Sequence, residues 1–198
     1  LLPEIKNEGF ETSSMVNYVA RFGNFVNHGF KYTGVLRVFK VLLSYDYLWN
    51  NIRVKGGAYG CSAVFSRSGN AGFVSYRDPN VANTNKIYEG IVDYAKNFTA
   101  NDREMTKSVI GAISEMDTPL TPAGEGMKGL SAYYSKVRHE DMQKEREEVL
   151  NTSEADIRGL VPLIEAVLSD NLICAVGNAD LIEKDREMFK EVKHLFKD

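Results

Sequence analysis

The sequence predicts an α+β fold in which an antiparallel or mixed sheet carries helices packed on one face. The predicted order of elements is a strand, a long helix, two strands in a hairpin, a block of helices, a strand and a final helix. Helices that follow a hairpin in a block, rather than alternating with strands, are typical of a sheet covered on one side. The 198 residues and the hydrophobic content of 43% suit one domain with a substantial core.

The first part of the chain supplies one strand and one long helix. Residues 1–14 are predicted as an irregular leading segment, and residues 15–22 as a strand because apolar residues alternate loosely there. A loop over 24–31 precedes a helix that begins near Thr33, a candidate N-cap, and ends near Ile52. Apolar side chains occupy most sides of this helix, which predicts that it is largely buried.

A glycine-rich turn connects the long helix to a predicted hairpin. Residues 58–67 and 71–76 are the two strands, and the intervening Ser68-Gly69-Asn70 is a typical hairpin turn. Asp78-Pro79-Asn80 is expected to end the second strand.

The remainder of the chain is mainly helical. A helix is predicted over 82–98, and a second begins after Asn101, where Glu104 completes a capping box. The prolines within 117–122 end that second helix. The remaining predicted elements are a partly exposed helix over 123–138, a solvated charged helical face over 140–148, a helix from Thr152 or Ser153 to about 168, a strand over 171–176, and a loop with a charged amphipathic helix within 178–198.

Composition excludes several classes of protein. The formal net charge of -3 argues against a nucleic-acid partner, which would favour a concentrated basic surface. No apolar run approaches the roughly 18 residues needed to cross a bilayer, so no membrane partner is expected. The two cysteines, Cys61 and Cys174, lie in predicted strands and do not make a disulfide framework. They are interpreted as small buried hydrophobic residues in a protein of a reducing compartment.

The candidate functional residues are Arg53 and Tyr59, which lie on either side of the glycine-rich turn. Glycine permits a sharp turn, so a cation and a phenol are brought to the rim of the fold, where each could reach a ligand. The alternative interpretation is structural. An arginine near a helix C-terminus favours the helix dipole, and Tyr59 shares strand parity with Cys61 and Ala63, which would point it toward the core.

The sequence holds no self-sufficient catalytic constellation. None of the three histidines, His28, His139 and His194, has a second histidine at the spacing of a zinc-binding pair. There is no nucleophile elbow, phosphate loop or dinucleotide fingerprint, and Cys61 has no histidine near it in sequence. No metal ligand and no cofactor-binding residue is therefore predicted in this chain.

Three motifs occur in order along the chain: Arg53–Gly60 (RVKGGAYG), Tyr76–Asn80 (YRDPN) and Ile113–Pro122 (ISEMDTPLTP). On these motifs the chain resembles the C-terminal part of the pitrilysin/insulysin-type zinc metallopeptidases, most closely the presequence-protease branch. The resemblance extends from Asn17 to the final helix. It implies a metallopeptidase-like α/β repeat domain, with residues 1–198 as the single C-terminal, non-zinc domain of a larger multidomain peptidase.

The resemblance also implies a function. Such enzymes have four similar domains arranged as two halves of a chamber, and the first domain carries an inverted H-x-x-E-H zinc site. The last domain supplies an arginine and a tyrosine, whose positions match Arg53 and Tyr59. These residues are expected to bind a peptide substrate near the scissile bond and to stabilise the oxyanion. Zinc would be held by another domain, the N-terminal half of the same polypeptide would be the partner, and this chain alone would be inactive.

Two alternatives remain at this stage. The chain could belong to a non-catalytic structural or assembly homologue of the same family, or it could be an unrelated α+β binding module. The presence of both Arg53 and Tyr59 favours the enzyme, since a purely structural homologue has no need of them. A cytoplasmic location is expected for a bacterial protein and an organelle matrix for a eukaryotic one. Self-association of the isolated chain through a bare apolar face is also expected.

Overall fold

A six-stranded mixed sheet forms the centre of the computed structural model, which describes residues 7–196. The strands are β1 (Glu8–Thr12), β2 (Asn17–Asn24), β3 (Gly60–Phe65), β4 (Asn70–Asp78), β5 (Leu172–Asn178) and β6 (Glu191–His194). Their order across the sheet is β3-β4-β2-β5-β1-β6. Pairs from β3 to β5 are antiparallel, whereas β1 is parallel to both β5 and β6. The predicted α+β class with a mixed sheet is confirmed.

Nine α-helices are described in residues 7–196. They are α1 (Val35–Leu42), α2 (Ala82–Glu89), α3 (Ile91–Lys96), α4 (Asp102–Met116), α5 (Pro122–Tyr134), α6 (His139–Leu150), α7 (Glu154–Gly159), α8 (Val161–Ser169) and α9 (Ala179–Lys184). Helix α1 continues as two π-helical segments, Leu43–Tyr47 and Trp49–Val54. Short 3₁₀ turns occupy Phe25–His28 and Arg186–Met188. In this part of the chain, no helix combines the length and the apolarity that a membrane span requires.

One face of the sheet is covered and the other is open. Val19, Phe73 and Ala175 point toward the helices and belong to the buried core. Their neighbours in the strands, such as Tyr18 and Tyr76, are exposed on the opposite face. This alternation follows from the two-residue period of a strand. The prediction of helices on one face is therefore confirmed.

The long helix is buried as predicted, but its N-terminus is capped by a tertiary contact. Fully buried side chains run from Leu36 to Ile52 along α1 and its π-helical continuation. The helix begins at Val35, close to the predicted start near Thr33. Gly34 rather than Thr33 is the N-cap, although the Val35 N–H donates to the Thr33 hydroxyl at 3.4 Å. The carboxylate of Glu148, from α6, accepts hydrogen bonds from the Gly34 N–H at 2.6 Å and the Thr33 hydroxyl at 2.9 Å. A distant carboxylate thus satisfies the first turn.

Both ends of the chain differ from the prediction. Within the predicted leading segment of residues 1–14, β1 lies between β5 and β6 in the sheet. The predicted C-terminal amphipathic helix is also wrong, because residues after the short α9 form a 3₁₀ turn and strand β6. These strands pair with each other across more than 180 residues of sequence, for example Glu8 with Glu191. Residues 1–6 and 197–198, which those two predictions include, lie outside the described residues.

The central helices confirm several local predictions. The Asn101 and Glu104 capping box is present at the start of α4, and Thr121 caps α5 after the predicted break. The predicted helix over 82–98 divides at Gly90 into α2 and α3. The predicted helix from 152 to 168 likewise divides into α7 and α8, with Ser153 as its N-cap.

The charged segment over 140–148 is helical as predicted, and Glu140, Lys144 and Glu147 are exposed, but Glu145 departs from this solvated face. Glu145 is only 5% exposed. Its carboxylate accepts hydrogen bonds from the Tyr32 hydroxyl at 2.7 Å and from the guanidinium groups of Arg37 and Arg67. A buried carboxylate is tolerated because charged and polar donors surround it. Glu145 therefore ties α6 to α1 and to the hairpin between β3 and β4.

Candidate functional site

The glycine-rich turn sets the position of the candidate residues. Gly57 has a φ of 82°, in the left-handed region that glycine adopts without strain. The Gly57 N–H donates to the Arg53 carbonyl at 3.0 Å, and the Ala58 N–H donates to the Ile52 carbonyl at 3.1 Å. These bonds close the last helical turn and direct the chain at once into β3. Arg53 is thus held beside the start of that strand.

Arg53 is held by the turn and by aromatic rings. Its Nη1 donates to the Tyr59 carbonyl oxygen at 2.5 Å, across the turn. Its Cζ lies 4.2 Å from the centroid of the Trp49 ring, one helical turn earlier, and 5.6 Å from that of Tyr59. Both distances are within the range of cation–π attraction. The Trp49 ring is itself 38% exposed.

Tyr59 lies one residue before β3 and is 56% exposed. It therefore escapes the inward face that Ala63 occupies further along the strand, and the packing interpretation does not describe its position. Its ring contacts Tyr76, with centroids 5.4 Å apart. Gly60 permits this contact, because a Cβ there would lie 2.3 Å from the Tyr76 ring. Among the described residues, no hydrogen bond of the Tyr59 hydroxyl is found, so the phenol is available to a ligand.

Arg77 is a member of the site that the sequence interpretation missed. Its Cζ lies 5.6 Å from the Tyr59 ring centroid, the same distance as that of Arg53. Its carbonyl accepts a hydrogen bond from the Tyr59 N–H at 3.2 Å. Its only signal in the sequence is its place in the second motif, directly after the predicted strand over 71–76. We call the five residues Trp49, Arg53, Tyr59, Tyr76 and Arg77 the arginine–aromatic cluster.

A buried carboxylate supports the cluster from behind. Asp78 is fully buried and accepts hydrogen bonds from the hydroxyls of Ser75 at 2.6 Å and Thr84 at 2.7 Å. It also accepts from the Asn80 N–H at 2.9 Å. The Asn80 side chain donates to the Gly56 carbonyl at 2.8 Å, which joins this corner to the glycine-rich turn. The residues that end β4 therefore also connect this corner of the fold to the glycine-rich turn through hydrogen bonds.

The cluster is positive and has no carboxylate of its own. The sequence contains ten arginines, and seven of them pair with an acidic side chain within residues 7–196. Arg53 and Arg77 are among the three without such a pair in this range. A guanidinium stays charged at any physiological pH. The surface around Tyr59 therefore favours anionic or electron-rich ligands.

Cys61 lies next to the cluster but does not supply a nucleophile. Burial raises the pKa of its thiol to about 11, and the nearby Asp78 carboxylate adds to this rise, although Arg53 opposes it. The thiolate is the reactive form, so this thiol is unreactive at neutral pH. Cys61 and Cys174 are both free and half-buried.

The described residues do not fit a bound zinc ion. Within residues 7–196 no three His, Cys, Asp or Glu side chains converge as metal ligands. His28 is instead engaged by Asp170 at 2.7 Å, and His194 by Glu11 at 3.0 Å.

The cluster lies on a surface and not in a cavity. A groove of about 580 Å³ between α1 and α4 is lined by residues such as Val41 and Gly111, and none of the cluster residues lines it. The cluster borders the open face of the sheet, where Tyr76 lies over Gly60. A site of this kind encloses a ligand only when a second wall faces it.

Known proteins match this chain over nearly all of its length. Residues 7–178 match the family described as PreP C-terminal domain. The chain is 43% identical over 192 residues to Protein HypA of Clostridium perfringens, which covers 97% of this chain and 20% of that protein. It is 34% identical over 193 residues to Presequence protease 1, chloroplastic/mitochondrial, of Arabidopsis thaliana, which covers 96% of this chain and 18% of that protein. The chain thus spans about a fifth of the length of these relatives.

Solved structures show the same fold at low sequence identity. The crystal structure of pitrilysin matches with a TM-score of 0.59 and 13% identity, covering 87% of this chain and 19% of that one. The peptidase M16 inactive domain from Pseudomonas fluorescens matches with a TM-score of 0.58 and 12% identity, covering 86% of this chain and 42% of that one. At such identities the likeness concerns the fold alone.

Proposed function

Because the chain belongs to the PreP C-terminal domain family, we propose that it is the substrate-binding, non-zinc C-terminal domain of a zinc-dependent oligopeptidase. The parent enzyme would hydrolyse peptide bonds of unfolded peptides inside a closed chamber. The relation to pitrilysin-type and presequence proteases that the three motifs indicated is confirmed. Since the chain spans about a fifth of its relatives, the remaining machinery would be in the rest of the same polypeptide.

The single observation that carries the proposal is the outward pairing of Arg53 with Tyr59. The phenol is exposed and has no hydrogen bond to the described residues, while the guanidinium beside it is fixed by Trp49 and the turn. Attack on a peptide carbonyl builds negative charge on its oxygen. A positioned phenol donates a hydrogen bond to that oxygen, and a fixed cation attracts it. Tyr59 would thus supply the hydrogen bond to the oxyanion, and Arg53 would supply the positive charge beside it.

Arg53 can bind substrate without leaving its place. A guanidinium has five N–H donors in a planar fork, and only the one to the Tyr59 carbonyl is engaged within the described residues. The remaining donors can reach a peptide carbonyl while the Trp49 ring holds the side chain. Preorganisation of this kind reduces the entropy lost when a substrate binds.

The exposed position of the cluster requires a partner surface. Electrostatic stabilisation is strong only where water is excluded, and Tyr59 by itself lies in solvent. We infer that the N-terminal half of the polypeptide supplies the opposite wall and the zinc. This chain by itself would then be inactive. The compartment would follow the organism, as the cytoplasm of a bacterium or an organelle matrix of a eukaryote.

The test is the kinetics of the full-length parent enzyme on an unfolded peptide. Tyr59→Phe should lower kcat by about 10²–10³, because one donor to the oxyanion is lost. Arg53→Ala should have an effect of similar order and also raise KM, since the guanidinium would contact the ground state too. Tyr133→Phe is the matched control, because Tyr133 is exposed and lies outside the cluster.

Three outcomes would contradict parts of the proposal. Normal turnover of Tyr59→Phe and Arg53→Ala would refute the catalytic role. Lost turnover with a large fall in melting temperature would support a packing role. A parent polypeptide without an H-x-x-E-H motif would instead indicate a non-catalytic homologue. This alternative is tested because the M16 inactive domain from Pseudomonas fluorescens has the same fold.

A further inference from the structure

We propose that Asn80 is a positioning residue: its side chain holds the glycine-rich turn so that the Tyr59 hydroxyl meets the oxyanion of the substrate. The inference rests on the proposed function and deepens it. Asn80 lies outside the arginine–aromatic cluster and acts through the backbone of the turn. Its side-chain amide donates a hydrogen bond to the Gly56 carbonyl at 2.8 Å, three residues before Tyr59.

Two hydrogen bonds join the turn to the residues that end β4. The Tyr59 N–H donates to the Arg77 carbonyl at 3.2 Å, and the Asn80 amide donates to the Gly56 carbonyl. These bonds lie at the two ends of the segment 56–59. One bond by itself allows the segment to pivot, whereas two bonds fix its orientation relative to the sheet. Of the two, only the bond from Asn80 is made by a side chain, so a substitution can remove it.

Asn80 is itself fixed by the core of the fold. Its N–H donates at 2.9 Å to the fully buried carboxylate of Asp78, which also accepts from the hydroxyls of Ser75, on β4, and Thr84, on α2. All three donors are uncharged, and burying a carboxylate among uncharged donors is costly. Arg77, on the other side of Asp78, has a left-handed φ of 49°. Strained backbone of this kind is concentrated at functional sites, where the surrounding structure holds it in place.

The two candidate residues depend on this bond to different degrees. Arg53 lies on the helix before the turn, and its Cζ stacks 4.2 Å from the centroid of the Trp49 ring on the same helix. Tyr59 lies after the turn and one residue before Gly60, the first residue of β3. The position of the phenol therefore follows that of the turn. Since a misplacement of 1 Å lowers a rate by as much as about 10²-fold, a small shift of the turn is enough to impair Tyr59.

The experiment uses the full-length parent enzyme on an unfolded peptide. Asn80→Ala removes the hydrogen-bond donor, and Asn80→Leu removes it while keeping the branched shape of the side chain. Both should lower kcat by about tenfold and change KM much less, because the misplaced donor acts in the transition state while Arg53 still binds the ground state. Asn80 is half-buried, so neither variant leaves a closed cavity in the core.

A double-mutant cycle separates positioning from a general structural effect. If Asn80 acts by positioning the phenol, Asn80→Ala should have almost no further effect once Tyr59→Phe has removed the hydroxyl. The expected additional loss of kcat is less than about twofold, against about tenfold in the wild-type background. An effect on folding alone would instead multiply with that of Tyr59→Phe.

Asn151→Ala is the matched control. The Asn151 side-chain amide also donates to one backbone carbonyl at 2.8 Å, that of Glu147 at the end of α6, outside the cluster. This variant should lower the melting temperature about as much as Asn80→Ala does, since each loses one hydrogen bond of the same kind. It should leave kcat unchanged.

The outcomes separate the inference from the proposed function. A loss of kcat in both Asn80 variants that disappears in the Tyr59→Phe background supports the inference. Normal kcat in Asn80→Ala, a loss that Asn80→Leu restores, or an equal loss in both backgrounds overturns it. In each of these cases an impaired Tyr59→Phe enzyme leaves the proposed function intact. Normal turnover of Tyr59→Phe refutes the catalytic role of the phenol, and the inference falls with it.

Discussion

Replacement of Glu145 by glutamine tests whether the charged segment of α6 is a solvated face or a buried anchor. In the structure its carboxylate is 5% exposed and accepts hydrogen bonds from Tyr32, Arg37 and Arg67. Removing one member of a buried ion pair costs about 3–5 kcal/mol. The side chains of Arg37 and Arg67 are 34% and 36% exposed and can regain water, so the lower end, about 3 kcal/mol, is expected.

The pH dependence gives a second measure of the same interaction. Burial by itself raises the pKa of Glu145, but hydrogen bonds from Arg37 and Tyr32 and the charges of both arginines outweigh it and hold the pKa below the usual 4.5. A carboxylate with a depressed folded-state pKa stabilises the fold above its unfolded pKa and loses this effect as pH falls through the folded value. The difference between wild type and Glu145→Gln should therefore be full at pH 7 and shrink below about pH 4.5.

The assay is urea unfolding of the 198-residue chain, followed by circular dichroism at pH 7 and at pH 4. Glu147→Gln is the control, because Glu147 is exposed on the same helix and should change the free energy of unfolding by about 0.5 kcal/mol or less. If Glu145→Gln and Glu147→Gln have equal small effects, Glu145 is solvated and the buried anchor is refuted. A large effect of Glu145→Gln that is the same at both pH values would refute the charge-based reason.

Three further predictions concern the isolated chain and the cluster. Purified 198-residue protein should hold no stoichiometric zinc, and elemental analysis that finds about one tightly bound zinc per chain would contradict this. Gly60→Ala places a Cβ 2.3 Å from the Tyr76 ring and should displace that ring from Tyr59. Turnover of the parent enzyme should then fall about 10–100-fold with a small change in melting temperature. Unchanged turnover would show that the packing of Tyr76 against Tyr59 is dispensable. The isolated chain should self-associate through exposed apolar surface, such as that of Met127 and Tyr134 on α5. Light scattering of a strict monomer at high concentration would argue against it.

Local signals in the sequence determined much of the fold. The run of apolar residues in the long helix, the Ser68-Gly69-Asn70 turn and the Asn101 capping box each depend on neighbours within a few residues. The three motifs likewise indicated the family and the pairing of Arg53 with Tyr59. These features could be predicted because the interactions that produce them are short in sequence.

The tertiary structure alone decided that the two ends of the described chain form strands β1 and β6, and which polar side chains are buried. Strand β1 forms because β5 and β6, from the other end of the chain, pair with its two sides. Strand β6 in turn forms because it pairs with β1. Glu145 carries no local mark that separates it from its exposed neighbour Glu147. Its burial depends on Arg37 and Arg67, which lie 108 and 78 residues away in sequence.

The arginine–aromatic cluster combines both levels. Its spacing from Arg53 to Tyr59 is local, and a glycine-rich turn is enough to bring these two side chains together. Arg77 joins them only because β4 pairs with β3 in the register that sets Tyr76 opposite Gly60. Arg77, at the end of β4, therefore lies beside Tyr59 at the start of β3 only after the two strands have paired. The folded sheet thus places both guanidinium groups near the same ring.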